Sequence, residues 1–312
     1  MKRILRILSV VVVVVVVAGV AIGLRPNSHA FGSVFRVRHT SRSASVADPG
    51  TPASPAGAPT WSPDASASSA DSPTVTTTRA VSEVGRVTGH GGTLTTLGLG
   101  DSVPQGGPCT NCTTFVERVG TDMARHAGVK AAVRNESVSG YKTADVLTQL
   151  ESTSAQSLLK TSDLAIVTIG ANDFDLDALV SQCADSEESC VAGDVNDVTD
   201  RVRTILERIK AGMTTPGATI AVTGYWNVGL DGKVGRDMGA DYVKVSTMVT
   251  EAFNANVKKI ANDVGAVYVD VRTPFKGADG RRDDTALLTD DGDHPSDEGH
   301  KVLAEAVEAQ LS

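Results

Sequence analysis

Four short segments of the chain carry residue types suited to nucleophilic chemistry: Gly100-Asp101-Ser102, Gly140, Gly170-Ala171-Asn172-Asp173, and Asp291-Gly292-Asp293-His294. A serine hydroxyl attacks usefully only when a base takes its proton, and acyl transfer passes through an oxyanion that needs hydrogen-bond donors already in place. Ser102 offers the hydroxyl and His294 the base. Asp291, three residues before His294, is spaced to accept a hydrogen bond from the imidazole within one tight turn, fixing its tautomer and leaving the other ring nitrogen free. Asp290 and Asp293 compete for that place; spacing favours Asp291, with Asp293 second. Carboxylates crowded around His294 also favour its protonated form, which suits a base that must later return the proton. The Ser102 amide, the unshielded amide of Gly140 and the side-chain amide of Asn172 make three donors for one oxygen.

Each residue alone has a plainer use: an Asx turn at Asp101, a loop glycine at Gly140, a helix cap at Asn172. Ser102 is followed by Val103 and Pro104, so it is not the Gly-x-Ser-x-Gly elbow of α/β-hydrolases, and Gly98 and Gly100 lack the third glycine of a dinucleotide fingerprint. The acids around His294 do not have calcium-loop spacing.

The elements that must position these residues are legible as alternating patterns. Apolar strand runs are expected at 93–98, 129–137, 164–169, 218–223 and 266–271, and helical periodicity at 113–126, 143–159, 195–213, 242–264 and 296–311. Five strands separated by helices imply a parallel sheet covered on both faces, an α/β fold with three α/β/α layers of flavodoxin-like type. Ligands in such folds bind at the carboxyl ends of the strands. Ser102 follows the first strand, Gly140 the second and Asn172 the third, and Asp291 and His294 lie in the loop after the fifth. That shared placement makes one site out of four segments.

Together the four segments resemble the conserved blocks of the SGNH hydrolases, the GDSL esterase and lipase family, over a stretch from about Leu97 to Gln310. The resemblance implies a Ser102 nucleophile, a His294 base, an Asp291 orienter and an oxyanion hole of Ser102, Gly140 and Asn172, with no cofactor or metal. Val103 replaces the leucine of the family's common name, a packing position. The expected activity is hydrolysis of small-molecule or lipid esters through an acyl-enzyme, by a single chain. Tyr141, Phe174 and Trp226, near strand ends, are candidates to line the substrate pocket. The alternative is a catalytically inactive cell-surface binding module on the same fold.

Residues 1–30 read as an export segment. Lys2, Arg3 and Arg6 precede an apolar run at 7–24, and Ser28-His29-Ala30 resembles a cleavage site. A retained membrane anchor is the competing expectation, since the run approaches the roughly 20 residues of a spanning helix. Either way residues 93–312 are expected outside the membrane. Residues 31–92, rich in Ser, Ala, Thr and Pro, read as a disordered linker. Loss of residues 1–30 would leave 25 basic against 37 acidic residues, a formal charge of −12, which argues against nucleic-acid binding. Cys109, Cys112, Cys183 and Cys190 allow three disulfide pairings; the simplest joins Cys109 to Cys112 and Cys183 to Cys190, each closing a short loop. The exported start and these loops resemble secreted actinobacterial members of the family.

Overall fold

The structure, a computed structural model, describes residues 89–312. The expected export segment and nearly all of the expected linker lie outside the described residues. Strand β1 (Thr93–Gly100) leads into a one-turn helix α1 (Ser102–Gln105), then α2 (Phe115–Ala127) and β2 (Lys130–Asn135). Helices α3 (Thr143–Glu151) and α4 (Thr153–Thr161) precede β3 (Leu164–Thr168), which is followed by α5 (Leu176–Cys183) and α6 (Ala192–Gly212). The chain continues through β4 (Thr219–Thr223), α7 (Gly232–Asp237), α8 (Ala240–Val264), β5 (Val267–Val269), α9 (Arg272–Lys276) and α10 (Asp297–Leu311).

All strand pairs are parallel, in the order β2-β1-β3-β4-β5. Helices α2 and α10 pack together on one face; α3, α6 and α8 form the layer on the other. The sheet is therefore the centre of a three-layer α/β/α fold, and its middle strand shows why: every residue of β3, Leu-Ala-Ile-Val-Thr, is buried. Its Leu, Ile and Val side chains each contribute about 1.5–3 kcal/mol by leaving water.

Successive strands change direction along the sheet at β1, because β2 lies on one side of it and β3 on the other. That reversal opens a crevice at the carboxyl ends of β1 and β3, where Ser102 and Asn172 begin their loops.

Two local differences from the expected elements have clear causes. The helix expected at 143–159 is two helices, because Ser152 adopts extended backbone and its hydroxyl accepts from the Ala155 amide, capping a new helix. Helices α5, α7 and α9 were not expected; at eight, six and five residues they are too short to display a helical apolar period.

Candidate active site

Ser102 is the first residue of α1, directly beyond the end of β1. Gly100 makes that turn possible: with φ at +141°, a Cβ there would lie 1.9 Å from the Thr168 carbonyl oxygen. Asp101 caps α1, its Oδ1 accepting from the Val103 amide at 3.0 Å, while its own amide donates to Thr168 O at 3.1 Å. The other carboxylate oxygen accepts a short hydrogen bond from the Tyr225 hydroxyl. The amides of Gly106 and Gly107 donate to Ser102 O, and the Asn135 side-chain amide donates to Pro104 O at 2.7 Å. Ser102 itself is buried, 8% exposed.

The second segment is a loop beyond β2. Val138 donates to Gly100 O and Tyr141 to Val138 O, turning the chain so that Gly140 is exposed at φ +80°. The third segment is a 3₁₀ turn, Ala171–Asp173, beyond β3. Asn172 Nδ2 donates to Tyr141 O at 3.0 Å, so the Gly140 and Asn172 segments touch. One Asn172 amide hydrogen is used there and the second remains for a ligand.

Asp173 anchors the third turn. Its carboxylate, 5% exposed, accepts from the Thr143 amide and hydroxyl at 2.9 and 2.7 Å and from Arg201 Nη2 at 3.1 Å. Arg201 Nε also donates to the Thr143 hydroxyl. The turn is thus clamped to α3 and α6 together.

The fourth segment organises itself. Asp291 Oδ1 accepts from the Thr289 hydroxyl at 2.6 Å, the Asp293 amide at 2.9 Å and the His294 amide at 3.1 Å. Its Oδ2 lies 2.8 Å from His294 Nδ1, against 3.8 Å for Asp293 Oδ2. Partial burial pushes the Asp291 carboxyl upward, but the hydrogen bonds from Thr289, Asp293 and His294 outweigh it and bring it down to about 2. Asp293 goes the other way: burial raises it against the pull of His294, and the Asp291 charge adds to the rise. Asp291 is therefore the charged partner of the imidazole, and Nε2 is the ring nitrogen left for other work.

Ser102, Asn172, Phe174, Trp226, Tyr242 and His294 line one cavity of ≈ 250 Å³. Of the four sequence segments, three contribute directly to its wall. Gly140 is not part of the lining and reaches the site through the Tyr141–Asn172 contact. Phe174 and Trp226 line the cavity; Tyr141 packs against the core instead. The Trp226 ring stacks on Phe275 at 4.5 Å. The sulfurs of Cys109 and Cys112, and of Cys183 and Cys190, are paired, with Cα separations of 5.6 and 5.8 Å. Among the described residues no cluster of three or more His, Cys, Asp or Glu side chains could hold a metal ion.

The arrangement offers a hydroxyl, an imidazole backed by a carboxylate, and amide donors around one small cavity, the parts needed for acyl transfer. Two contributors are invisible as motifs, Arg201 and Tyr225, and Asp173 is visible in its segment without its clamping part being legible there. Tyr225 had one available signal, its position just beyond the end of β4, by the rule that singled out the other segments.

The sequence pattern of the GDSL-like lipase/acylhydrolase family matches residues 99–302. Among solved structures, the chain is similar to a lipase from a goat rumen metagenome, at 19% identity and TM-score 0.57, covering 70% of this chain and 97% of that one. A phospholipase A1 from Streptomyces albidoflavus is similar at 19% identity and TM-score 0.51, with 70% and 99% covered. An acetyl-xylooligosaccharide esterase from Geobacillus is similar at 21% identity and TM-score 0.51, with 72% and 96% covered. No curated protein sequence matches the chain.

Proposed function

The chain belongs to the GDSL-like lipase/acylhydrolase family, and from that premise we propose that it is an exported serine esterase working through an acyl-enzyme on Ser102. The observation that carries this reading is the 2.8 Å contact between His294 Nδ1 and Asp291, with His294 on the same cavity wall as Ser102 and Asn172. In the proposed reaction His294 Nε2 takes the Ser102 proton as Oγ attacks the ester carbonyl. The carbonyl oxygen becomes an oxyanion held by the Ser102 amide and Asn172 Nδ2, with the exposed Gly140 amide, outside the cavity lining, proposed as the third donor. His294 then gives its proton to the departing alcohol, and water repeats the sequence to release the acid. Asp291 holds the ring and stabilises the imidazolium without itself taking the proton, as expected of a carboxyl lowered to about 2.

The cavity favours a small acyl group. Its ≈ 250 Å³ falls below the about 300–1,000 Å³ of pockets that enclose a drug-sized ligand, so a short acyl chain fits inside while the alcohol extends outward. The similar proteins carry names spanning a lipase, a phospholipase A1 and an acetyl-xylooligosaccharide esterase, and a fourth similar structure, at 19% identity and TM-score 0.51, is called an extracellular lipase from Streptomyces rimosus. The basic and apolar run at 1–24 and the two paired-cysteine loops support export in the same sense.

Hydrolysis of p-nitrophenyl esters tests the proposal. Acetate and butyrate should turn over faster than palmitate, and Ser102→Ala should abolish turnover; a Ser102→Ala variant that keeps its rate would sink the mechanism. A fluorophosphonate probe that labels the wild type but not Ser102→Ala distinguishes the enzyme from a binding module.

A further inference from the structure

Tyr225 occupies an unusual position for an aromatic residue at the floor of a cavity. Its backbone is gripped from both sides by one side chain of α8: the Tyr225 amide donates to Asn254 Oδ1 at 2.9 Å, and Asn254 Nδ2 donates to Tyr225 O at 2.8 Å. Its ring rests on Phe253, with centroids 5.7 Å apart, and both Tyr225 and Phe253 are almost wholly buried. The hydroxyl is therefore delivered to a fixed point, where it has two partners. It donates to Asp101 Oδ2, on the turn that carries Ser102, and accepts from the Ala171 amide at 3.4 Å, on the turn that carries Asn172.

Resting on the esterase reading above, we propose that Tyr225 is a positioning residue that couples the nucleophile's turn to the oxyanion turn through a single hydroxyl. The two turns leave neighbouring strands, so the sheet sets their spacing at the base. Their tips need a separate tie, since an error of about 1 Å between nucleophile and oxyanion donor can cost about a hundredfold in rate. Because one oxygen both donates and accepts, movement of either turn disturbs the other. Tyr225 touches neither the attacking atom nor the oxyanion in this scheme, and its effect on chemistry passes through Ser102 and Asn172.

The charge surroundings give the link a titration signature. Burial drives the Asp101 carboxyl up to about 7, opposed by the hydrogen bonds from Tyr225 and the Val103 amide; Asp293 adds to the rise and His294 opposes it. Burial and the Asp101 charge, with a smaller contribution from Asp173, keep the Tyr225 phenol protonated well above its usual range. Tyr225 remains the donor, and Asp101 is the group whose ionisation its hydroxyl favours.

Tyr225→Phe keeps the ring and removes the tie. It should lower kcat about 10- to 100-fold, the value of one hydrogen bond to a charged partner, with KM changed less than about threefold. The acid limb of the pH–rate profile should move to higher pH, because Asp101 loses a bond that favours its ionised form. Amide hydrogen exchange, read by mass spectrometry, should quicken over both 101–103 and 171–173. Asp101→Asn keeps an acceptor for the Val103 amide but places Nδ2 against the Tyr225 oxygen, replacing the charged bond by a weaker one of opposite direction, and should quicken exchange over 171–173 less than Tyr225→Phe does. Exchange confined to one turn in both variants, or wild-type kcat and exchange in Tyr225→Phe, overturns the proposal. The exchange measurement decides this even if the wild-type protein hydrolyses no ester, an outcome that would defeat the esterase reading instead.

Discussion

The turn that presents Ser102 and the loop that presents His294 are built on opposite plans. The Ser102 turn is held by partners distant in sequence: Thr168 on β3, Asn135 at the end of β2, and Tyr225, 124 residues from the Asp101 it bonds. The His294 loop is held chiefly by its own residues, since Asp291 makes every one of its hydrogen bonds to groups between Thr289 and His294. One longer contact, Asp231 N to Gly292 O at 2.7 Å, docks the loop against the start of α7. A residue held by remote elements is only as well placed as the fold around it. A residue held by a local knot carries its geometry with it, and damage there should cost rate before it costs stability.

The largest expected effect breaks the local knot. Asp291→Asn keeps an acceptor oxygen for the loop amides but loses the charge that orients and stabilises the imidazolium, so kcat should fall about 10³- to 10⁴-fold. The thermal midpoint should change little. A fall under about tenfold would show that another group holds the ring, with Asp293 at 3.8 Å the nearest carboxylate.

On the remote plan the effect should reverse. Gly100→Ala forces a Cβ against the Thr168 carbonyl at a backbone angle that side chains rarely adopt, and unfolding in denaturant should show a loss of about 3–5 kcal/mol. A loss under about 1 kcal/mol would mean that the β1–β3 junction yields more easily than the closeness of the two backbones implies.

The smallest effect concerns the seam between the two regions. His300, in α10 just beyond the His294 loop, is fully buried, stacks on Phe115 at 6.2 Å, and accepts from the Phe115 amide at the start of α2. Burial lowers its pKa from 6.5 to about 4, and the nearby Arg118 charge adds to the drop. Between those values the unfolded chain binds the proton and the folded chain does not, so stability falls as pH drops from 6.5 toward 4. The loss from this one group is at most about 3 kcal/mol. His300→Asn, which cannot titrate, should flatten the slope of unfolding free energy against pH in that window; an unchanged slope would assign the acid sensitivity elsewhere.

These two plans also explain what could be read from the chain. The Asp291–His294 pair was legible because its bonds span three residues, within reach of a spacing argument. The five strands were legible because burial on both faces demands apolar runs, and 164–169 against the observed Leu164–Thr168 shows how little room that leaves. The break at Ser152 was harder to see, because a helix cap competes with a periodicity that continues across it.

By itself, then, the amino-acid sequence determined the layered fold and the nearness of Asp291 to His294, and it singled out Ser102 and His294 as the proposed nucleophile and base, since each depends on local pattern or short spacing. Only the tertiary structure decided how the two turns are joined. Tyr225, Asp173 and Arg201 act across packed elements, and nothing in their immediate sequence records what lies opposite. The size of the cavity was decided there too, because its walls come from the segments that follow β1, β3, β4 and β5 at once, and volume is a property of their packing rather than of any one segment.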